Sequence, residues 1–163
     1  MDLLPELLDQ ERRLQLTGFD HDSAWALGVQ MVEAARAGGL PLTISVRRGQ
    51  QRLFHAALLG TSADNDDWID RKSRVVDRFG HSSLYVGALF RSRGTTFEQS
   101  SDLDPRVYAA HGGVFPLIVA GVGPVGTVGV SGLPQLDDHA FVVQQLEHFL
   151  AAPCSAPSGE GAP

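Results

Sequence analysis

Residues 115–131 read Phe-Pro-Leu-Ile-Val-Ala-Gly-Val-Gly-Pro-Val-Gly-Thr-Val-Gly-Val-Ser, and this stretch decides the fold class. Residues 121–126 spell G-x-G-x-x-G, which in a dinucleotide-binding fold would open a helix whose N-terminus meets a pyrophosphate. Here a β-branched run follows the glycines, and Pro124 suits a hairpin loop. The stretch therefore predicts two strands, Phe115 to Ala120 and Val125 to Ser131, that are joined by a turn and pair antiparallel.

A second hairpin is predicted earlier in the chain. Leu42, Ile44 and Val46 alternate with polar residues, the next three residues (48–50) turn the chain, and residues 52–59 return as a second strand. A further strand is predicted from Ser82 to Phe90. Because neighbouring strands are joined by short turns, we predict an α+β fold with an antiparallel sheet flanked by helices in a single domain.

Apolar residues at helical spacing mark four helices. The first covers about residues 3–16, and the second carries an apolar stripe that includes Trp25. The later three begin at capping residues, which are Asp20 or Asp22, Asp64 or Asn65, and Asp137 or Asp138. The domain is predicted to span residues 1–151. Small, Pro/Gly/Ser-rich residues 152–163 predict a disordered tail.

Composition narrows the class of protein. The 163 residues carry 13 Lys plus Arg against 19 Asp plus Glu, a net charge of −6, and an acidic chain whose arginines are mostly dispersed makes a poor general nucleic-acid binder. No apolar run approaches the roughly 20 residues of a membrane span, and the first residues are not typical of a signal peptide. One cysteine, Cys154, excludes an internal disulfide. We expect a cytoplasmic protein that binds neither nucleic acid nor membrane.

Positive charges gather on the predicted third helix. Such a run is ordinarily the solvent-exposed face of a helix. Here three of the side chains share one face at spacings of three and four, and two more arginines follow in the next segment. The cluster therefore favours a site for a small anion, a carboxylate or a phosphate. Its members are Arg71, Lys72, Arg74 and Arg78, followed by Arg91 and Arg93.

Histidines offer ligand chemistry at two places. Asp137, Asp138 and His139 form the densest potential group of metal ligands; the alternative is a helix N-terminus, where the helix dipole favours carboxylates. His111 lies beside Gly112-Gly113, which would let the backbone approach a ligand closely, although a plain glycine loop is the alternative. Both alternatives stay open from the sequence.

Several motifs in matching order identify a family. The chain resembles the UPF0303 family, a branch of the haem-degrading domain superfamily with GlcG-like and HbpS-like proteins, over about residues 3–150. This resemblance implies a profilin- and PAS-like fold, homo-oligomers and, for some relatives, haem binding or degradation. A haem ligand would then be His111, His81 or His55. The motifs are Asp64-Asn65-Asp66-Asp67-Trp68-Ile69-x-Arg71-Lys72, Arg78-Phe79-Gly80-x-Ser82-Ser83, His111-Gly112-Gly113-x-Phe115-Pro116, and Gly126-Thr127-Val128-x-Val130-Ser131-Gly132-Leu133-Pro134-Gln135-x-Asp137-Asp138-His139.

Three functions are consistent with these observations. The first is a cytoplasmic, homo-oligomeric protein that binds haem or a small anion. The second is an enzyme that degrades haem or carries out other oxidative chemistry. The third is an assembly or adaptor protein without small-molecule chemistry, and the sequence leaves open whether there is any catalysis. For the first function the expected ligand-binding residues are Trp68, Arg71, Lys72, Arg78, His111, Gly112, Gly113, Ser131 and His139.

Overall fold

A computed structural model describes residues 3–152, so almost all of the predicted tail, with Cys154, lies outside the described residues. Helices and strands alternate irregularly along the chain. In order they are α1 (Leu4–Arg13), β1 (Gln15–Leu16), α2 (His21–Ala37), β2 (Thr43–Arg48), β3 (Gln51–Ala57), α3 (Ala63–Phe79), α4 (Ser83–Ser92), α5 (Phe97–Ser100), β4 (Val114–Val119), β5 (Gly123–Ser131) and α6 (Gln135–Ala151).

The five strands form one sheet in the order β1-β4-β5-β2-β3. Both predicted hairpins are confirmed, β2 with β3 and β4 with β5, and β2 also pairs antiparallel with β5. Gly121, in the turn between β4 and β5, and Gly123, the first residue of β5, adopt positive φ values of 76° and 107°, a conformation that glycine enters without steric cost. The G-x-G-x-x-G motif at residues 121–126 therefore belongs to a β-hairpin and does not open a helix. The α+β prediction is confirmed.

The first helix is shorter than predicted. It ends at Arg13, and Gln15 and Leu16 instead pair in parallel with Ile118 and Val119 at the edge of the sheet. Leu14 and Leu16 are buried in the main core, because extended backbone beside β4 brings them under the sheet. The single parallel pair was not predicted from the sequence.

Helices cover both faces of the sheet. Helices α2 and α6 pack on one face, over apolar strand residues such as Ile44, Val46 and Val130. Alternate residues of the same strands, including Thr43 and Thr127, point to the opposite face, where α3 packs. Burying each large aliphatic side chain contributes about 1.5–3 kcal/mol, so the face under α2 and α6 is the main source of stability.

The predicted strand from Ser82 to Phe90 is wrong, since Ser83–Ser92 form helix α4. The Ser82 hydroxyl accepts a hydrogen bond from the Tyr85 backbone N–H at 3.2 Å, which caps the helix. The Ser82 backbone N–H donates to the Glu11 carboxylate at 2.8 Å. At Gly87 an added Cβ would overlap the Ala110 carbonyl, so the helix lies directly against that backbone. These tertiary contacts outweigh the β-like composition of the segment.

Other helix details also differ from prediction. Trp25 is 64% exposed and its ring makes a T-shaped contact with Phe54, while Leu27 and Met31 belong to the buried face of α2. Helix α3 begins one residue after Ser62, whose side chain forms a capping box with Asn65, and α6 begins after Pro134 rather than at an aspartate. In the described part of the chain, no helix has the length and apolar character needed to cross a membrane.

Candidate functional site

A small polar cavity, here called the His111 cavity, lies where the C-terminal end of β5 meets the first turns of α3 and α6. Its volume is about 290 Å³. The sheet places Ser131 at the strand end, and the loop before β4 brings His111 across from α3. The lining residues are Asp64, Asn65, Trp68, Lys72, His111, Gly112, Ser131, Gly132, Leu133, Gln135 and Asp138.

A buried ion pair forms part of the cavity wall. Lys72 Nζ lies 3.3 Å from Asp138 Oδ2, and it also donates to the Gly112 and Val130 carbonyls at 3.0 and 2.9 Å. Both ionic side chains are 3% exposed. The three acceptors match the three N–H donors of an ammonium group. Lys72 is the only lysine in the chain, and the planar fork of an arginine would not fit this compact arrangement.

Burial and pairing act in opposite directions on this pair. Burial lowers the pKa of Lys72, and the neighbouring Asp138 carboxylate partly opposes that shift. Burial likewise raises the pKa of Asp138, against the charge of Lys72 and the hydrogen bond that its Oδ1 accepts from Leu133 N–H at 3.0 Å. Lys72 is therefore committed to holding the loop, the strand and α6 together, and it has no donor left for a ligand.

The two glycines after His111 make that packing possible. Gly113 has a φ of 128°, and an added Cβ there would overlap Lys72 Nζ. A Cβ on Gly112 would overlap the Gln135 carbonyl, and the Gly112 N–H donates to Gln135 Oε1 at 3.2 Å. We expected these glycines to admit a ligand, but the close approach that they allow is to Lys72 and α6.

Aromatic rings form the opposite wall of the cavity. The His111 ring stands edge-on to Trp68, with 5.4 Å between ring centroids. The Arg71 guanidinium lies 4.0 Å from the centre of the Trp68 ring, and its Nε donates to Asp67 at 2.8 Å. His111 Nε2 is 3.4 Å from Glu98 Oε1, with both side chains 41% exposed. His111 is thus an accessible imidazole at the edge of the cavity.

Arg78 and His139, both predicted as site residues, lie away from the cavity. Arg78 is exposed near the other end of α3, with its guanidinium 5.9 Å from the centre of the Tyr108 ring. His139 is buried between α6 and α1, where Nε2 lies 2.8 Å from Gln10 Oε1 and Nδ1 has no partner in residues 3–152. Burial lowers the pKa of His139 to about 4, so the ring is neutral at pH 7.

The candidate metal ligands do not converge. Asp138 belongs to the Lys72 pair, His139 contacts Gln10, and Asp137 is exposed. Across the described residues, no three His, Cys, Asp or Glu side chains form a group that could hold a metal ion. The carboxylates of the first turn of α6 therefore have separate roles.

Sequence reasoning missed two polar side chains of the cavity. Asn65 Nδ2 donates to Ser131 Oγ at 3.3 Å, and Gln135 bridges to Gly112. Both lie within quoted motifs, at the starts of α3 and α6. The sequence marked Asn65 only as a residue of the first helical turn that can cap the helix. Such a residue indicates where a helix begins and does not indicate that its side chain lines a cavity.

The fold and the cavity place the chain among the single-domain α+β proteins that have a five-stranded sheet between helices and a pocket at the end of a strand. The chain belongs to the family described as haem-degrading protein HbpS-like, whose model matches residues 19–147. It also belongs with the UPF0303 proteins: one from Streptomyces avermitilis is 60% identical over 153 residues, which cover 94% of each chain.

Solved structures share the fold. The Ybr137w protein superposes with a TM-score of 0.83 at 33% identity, covering 90% of this chain and 87% of that one. A PduOC–haem complex has a TM-score of 0.67 at 15% identity, covering 81% of this chain and 94% of that one. At 15% identity the comparison with PduOC shows a shared fold only.

Proposed function

We propose that this protein binds a small anionic ligand, a carboxylate or a phosphate, in the His111 cavity. The observation that carries the proposal is the uncapped N-terminus of α6. Pro134 supplies no side-chain cap, and the backbone N–H of Gln135, which lines the cavity, has no partner in residues 3–152, nor has that of Leu136 next to it. Free N–H groups at the positive end of a helix dipole favour an anion.

The charges around the cavity are compatible with this ligand. The charge of Asp138 is balanced by Lys72 at 3.3 Å, and Asp64 is exposed to solvent at the rim. The amide of Gln135 and the His111 ring offer further hydrogen-bond donors to a bound group, although Glu98 lies 3.4 Å from His111 Nε2. A volume of about 290 Å³ suits a small molecule. Arg78 is left out of the proposal because of its position, and Lys72 because its donors are occupied.

Isothermal titration calorimetry with inorganic phosphate and, separately, acetate tests the proposal. We expect saturable binding that His111→Ala weakens by at least about tenfold, the equivalent of one charge-assisted hydrogen bond. His21→Ala is the matched control, since His21 is an exposed histidine at the start of another helix, α2. Binding that is equally strong in both variants, or no binding of either anion, would reject the His111 cavity as an anion site.

Haem binding is the second candidate, and the family description favours it. PduOC has been solved as a haem complex, which is a property of that protein. A porphyrin is a broad apolar disc that needs an apolar slot around its axial ligand. The small polar His111 cavity does not offer such a slot. If haem is bound, any turnover would appear as loss of the Soret band in the presence of reductant and oxygen, faster than with albumin.

Self-association and a cytoplasmic setting complete the proposal. Trp25, Leu59 and Leu136 are 64%, 99% and 55% exposed, and large apolar side chains at a surface favour contacts with other subunits. An assembly or adaptor role would rest on these same surfaces. Light scattering of the full chain gives the mass in solution, and a monomer at micromolar concentration would contradict this part.

A further inference from the structure

Glu11 and His81 form a carboxylate–histidine pair outside the His111 cavity. Glu11 lies on α1 and is 6% exposed, and its Oε2 is 2.6 Å from His81 Nδ1. Its other oxygen accepts the Ser82 backbone N–H at 2.8 Å, so both oxygens of the carboxylate are engaged. An ionised carboxylate can only accept hydrogen bonds, so the hydrogen of a neutral His81 ring lies on Nδ1. The other ring nitrogen, Nε2, then carries a lone pair and acts as an acceptor.

His81 Nε2 is an acceptor without a donor. Among the described residues none forms a hydrogen bond with this nitrogen, and the side chain is 38% exposed. The ring also lies against Tyr85, with 4.4 Å between ring centroids, which restricts its rotation. Because Nδ1 is turned towards Glu11 and one ring face towards Tyr85, the Nε2 edge is the polar part of the ring that is left for a ligand.

An apolar groove surrounds the ring. This α1 groove has a volume of about 640 Å³ and lies between α1, the start of α4 and the β1–β4 edge of the sheet. Leu4, Leu8, Tyr85 and Ile118 line it, and all four are partly exposed. A concave and mostly apolar pocket of this size, with a few placed polar groups, is typical of sites for small organic molecules.

The polar groups of the groove select the kind of ligand. The carboxylate of Glu11 is fully engaged, and the side chain of Arg12 is 74% exposed with its Nη2 3.5 Å from Asp9, so neither offers a buried donor to a ligand. An anion would bring its own lone pairs against His81 Nε2 and its charge towards Glu11. A hydrocarbon or an ether would cover Nε2 without giving it a donor, which costs free energy. The complementary ligand is an apolar molecule that carries one hydroxyl group.

We infer that the α1 groove is a second ligand site, for an apolar alcohol or phenol whose hydroxyl donates a hydrogen bond to His81 Nε2. Leu4, Leu8 and Ile118 contact the apolar body of the ligand. Glu11 is the positioning residue, because it keeps the ring hydrogen on Nδ1 and so keeps Nε2 an acceptor. This site goes beyond the proposed anion binding, and it shares no lining residue with the His111 cavity.

The isoleucines of the chain allow a direct test. There are three, and only Ile118 lines the groove, while Ile44 and Ile69 are 0% and 1% exposed in the core. The full chain, with ¹³C-labelled isoleucine methyl groups, is titrated with 4-tert-butylphenol at pH 8, which favours the neutral histidine ring. The Ile118 methyl signal should shift and saturate, and the other two should stay in place. The methyl ether of the same phenol should bind at least about tenfold more weakly, because it has no hydroxyl hydrogen to donate.

Two variants test the roles of His81 and Glu11. His81→Ala should bring the preference for the phenol over its ether down to about one. In Glu11→Gln the amide oxygen can still accept from Ser82 N–H, but the NH₂ group would donate to His81 Nδ1. The ring hydrogen would then lie on Nε2, which could no longer accept, so the preference should be lost here as well. A purely structural role of Glu11 would weaken both ligands alike and leave the preference unchanged.

The matched control is His55→Ala. His55 also pairs with a carboxylate, that of Asp66 at 2.5 Å, and its side chain is 35% exposed, but it lines no part of the groove. The preference for the phenol should be the same in this variant as in wild type. In every variant the methyl signals of Ile44 and Ile69 report whether the core is intact.

Three results would overturn the inference. They are an Ile118 signal that does not respond to the phenol, equal affinity of wild type for the phenol and its ether, and a preference that survives His81→Ala. None of them bears on anion binding in the His111 cavity, because phosphate and acetate are measured separately and at other residues.

Discussion

Replacing Lys72 by methionine removes the only lysine while keeping most of its volume. Asp138 would remain as a buried carboxylate held only by backbone hydrogen bonds from Leu133 and Gly132, and the Gly112 and Val130 carbonyls would each lose a donor. Breaking a buried pair on one side costs about 3–5 kcal/mol. We therefore expect the free energy of unfolding of Lys72→Met to fall by about that amount, a large part of the stability of a domain this size.

Urea denaturation followed by circular dichroism measures this loss. Arg74→Met is the matched control, because Arg74 is an exposed cation on the same helix that donates one hydrogen bond, to the Val107 carbonyl at 3.2 Å. This variant should change the free energy of unfolding by no more than about 1 kcal/mol. Adding Asp138→Leu to Lys72→Met should restore part of the loss, because an apolar pair avoids the unpaired charge. A loss below about 1 kcal/mol in Lys72→Met would refute the structural role of the ion pair.

The pH dependence of that variant gives a second check. Without Lys72, the pKa of Asp138, which burial already raises, should rise further. A carboxyl group with a raised pKa in the folded state destabilises the fold as the pH increases from its unfolded pKa to its folded pKa. The stability gap between wild type and Lys72→Met should therefore widen from pH 4 towards pH 7. A gap that narrows over this range would contradict the assignment of an unpaired buried carboxylate.

Three further predictions concern other parts of the fold. Burial lowers the pKa of His139 from 6.5 to about 4, so between these values the unfolded chain binds a proton that the folded chain does not, and the contribution of His139 to the free energy of unfolding should be about 2 kcal/mol smaller at pH 5 than at pH 8. Denaturation of His139→Gln should therefore show a flatter pH profile than wild type. An identical profile would be incompatible with a buried neutral ring. Gly113→Ala should lower the free energy of unfolding by at least about 2 kcal/mol, because a φ of 128° is unfavourable for alanine and the new Cβ would overlap Lys72 Nζ. Thermal unfolding measures this loss, and a wild-type melting temperature would contradict the loop conformation. Ser82→Ala should cost about 1 kcal/mol by removing the cap of α4, and a chemical denaturation curve that superimposes on wild type would mean that the cap is unimportant.

The sequence was sufficient for features that depend on neighbouring residues. The turn at Gly121–Gly123 is a local signal, and so is the alternation around Ile44, so both hairpins follow from short stretches. The cavity was partly predictable because motif segments led to Trp68, Lys72, His111, Gly112 and Ser131, which all line it. Their roles within it could not be read from the motifs.

The features that were missed depend on contacts between distant residues. Helix α4 is capped and anchored by Ser82, whose backbone N–H reaches Glu11, 71 positions away in the chain. The sequence placed Lys72 in a basic cluster that was predicted to bind a small anion, and only the fold places three acceptors, one of them Asp138, 66 positions away, around its Nζ. Lys72 is the single lysine among thirteen basic residues. Because the other twelve are arginines, this lysine was the one indication in the sequence that the position requires an ammonium group.

A backbone ¹H–¹⁵N NMR titration with inorganic phosphate tests the central claim, anion binding in the His111 cavity, most directly. We predict that the largest shifts occur at the amides of Gln135 and Leu136, with smaller ones at His111 and Gly112, and that all of them saturate together. Shifts that concentrate on exposed arginines such as Arg78, or that rise linearly without saturation, would contradict the claim.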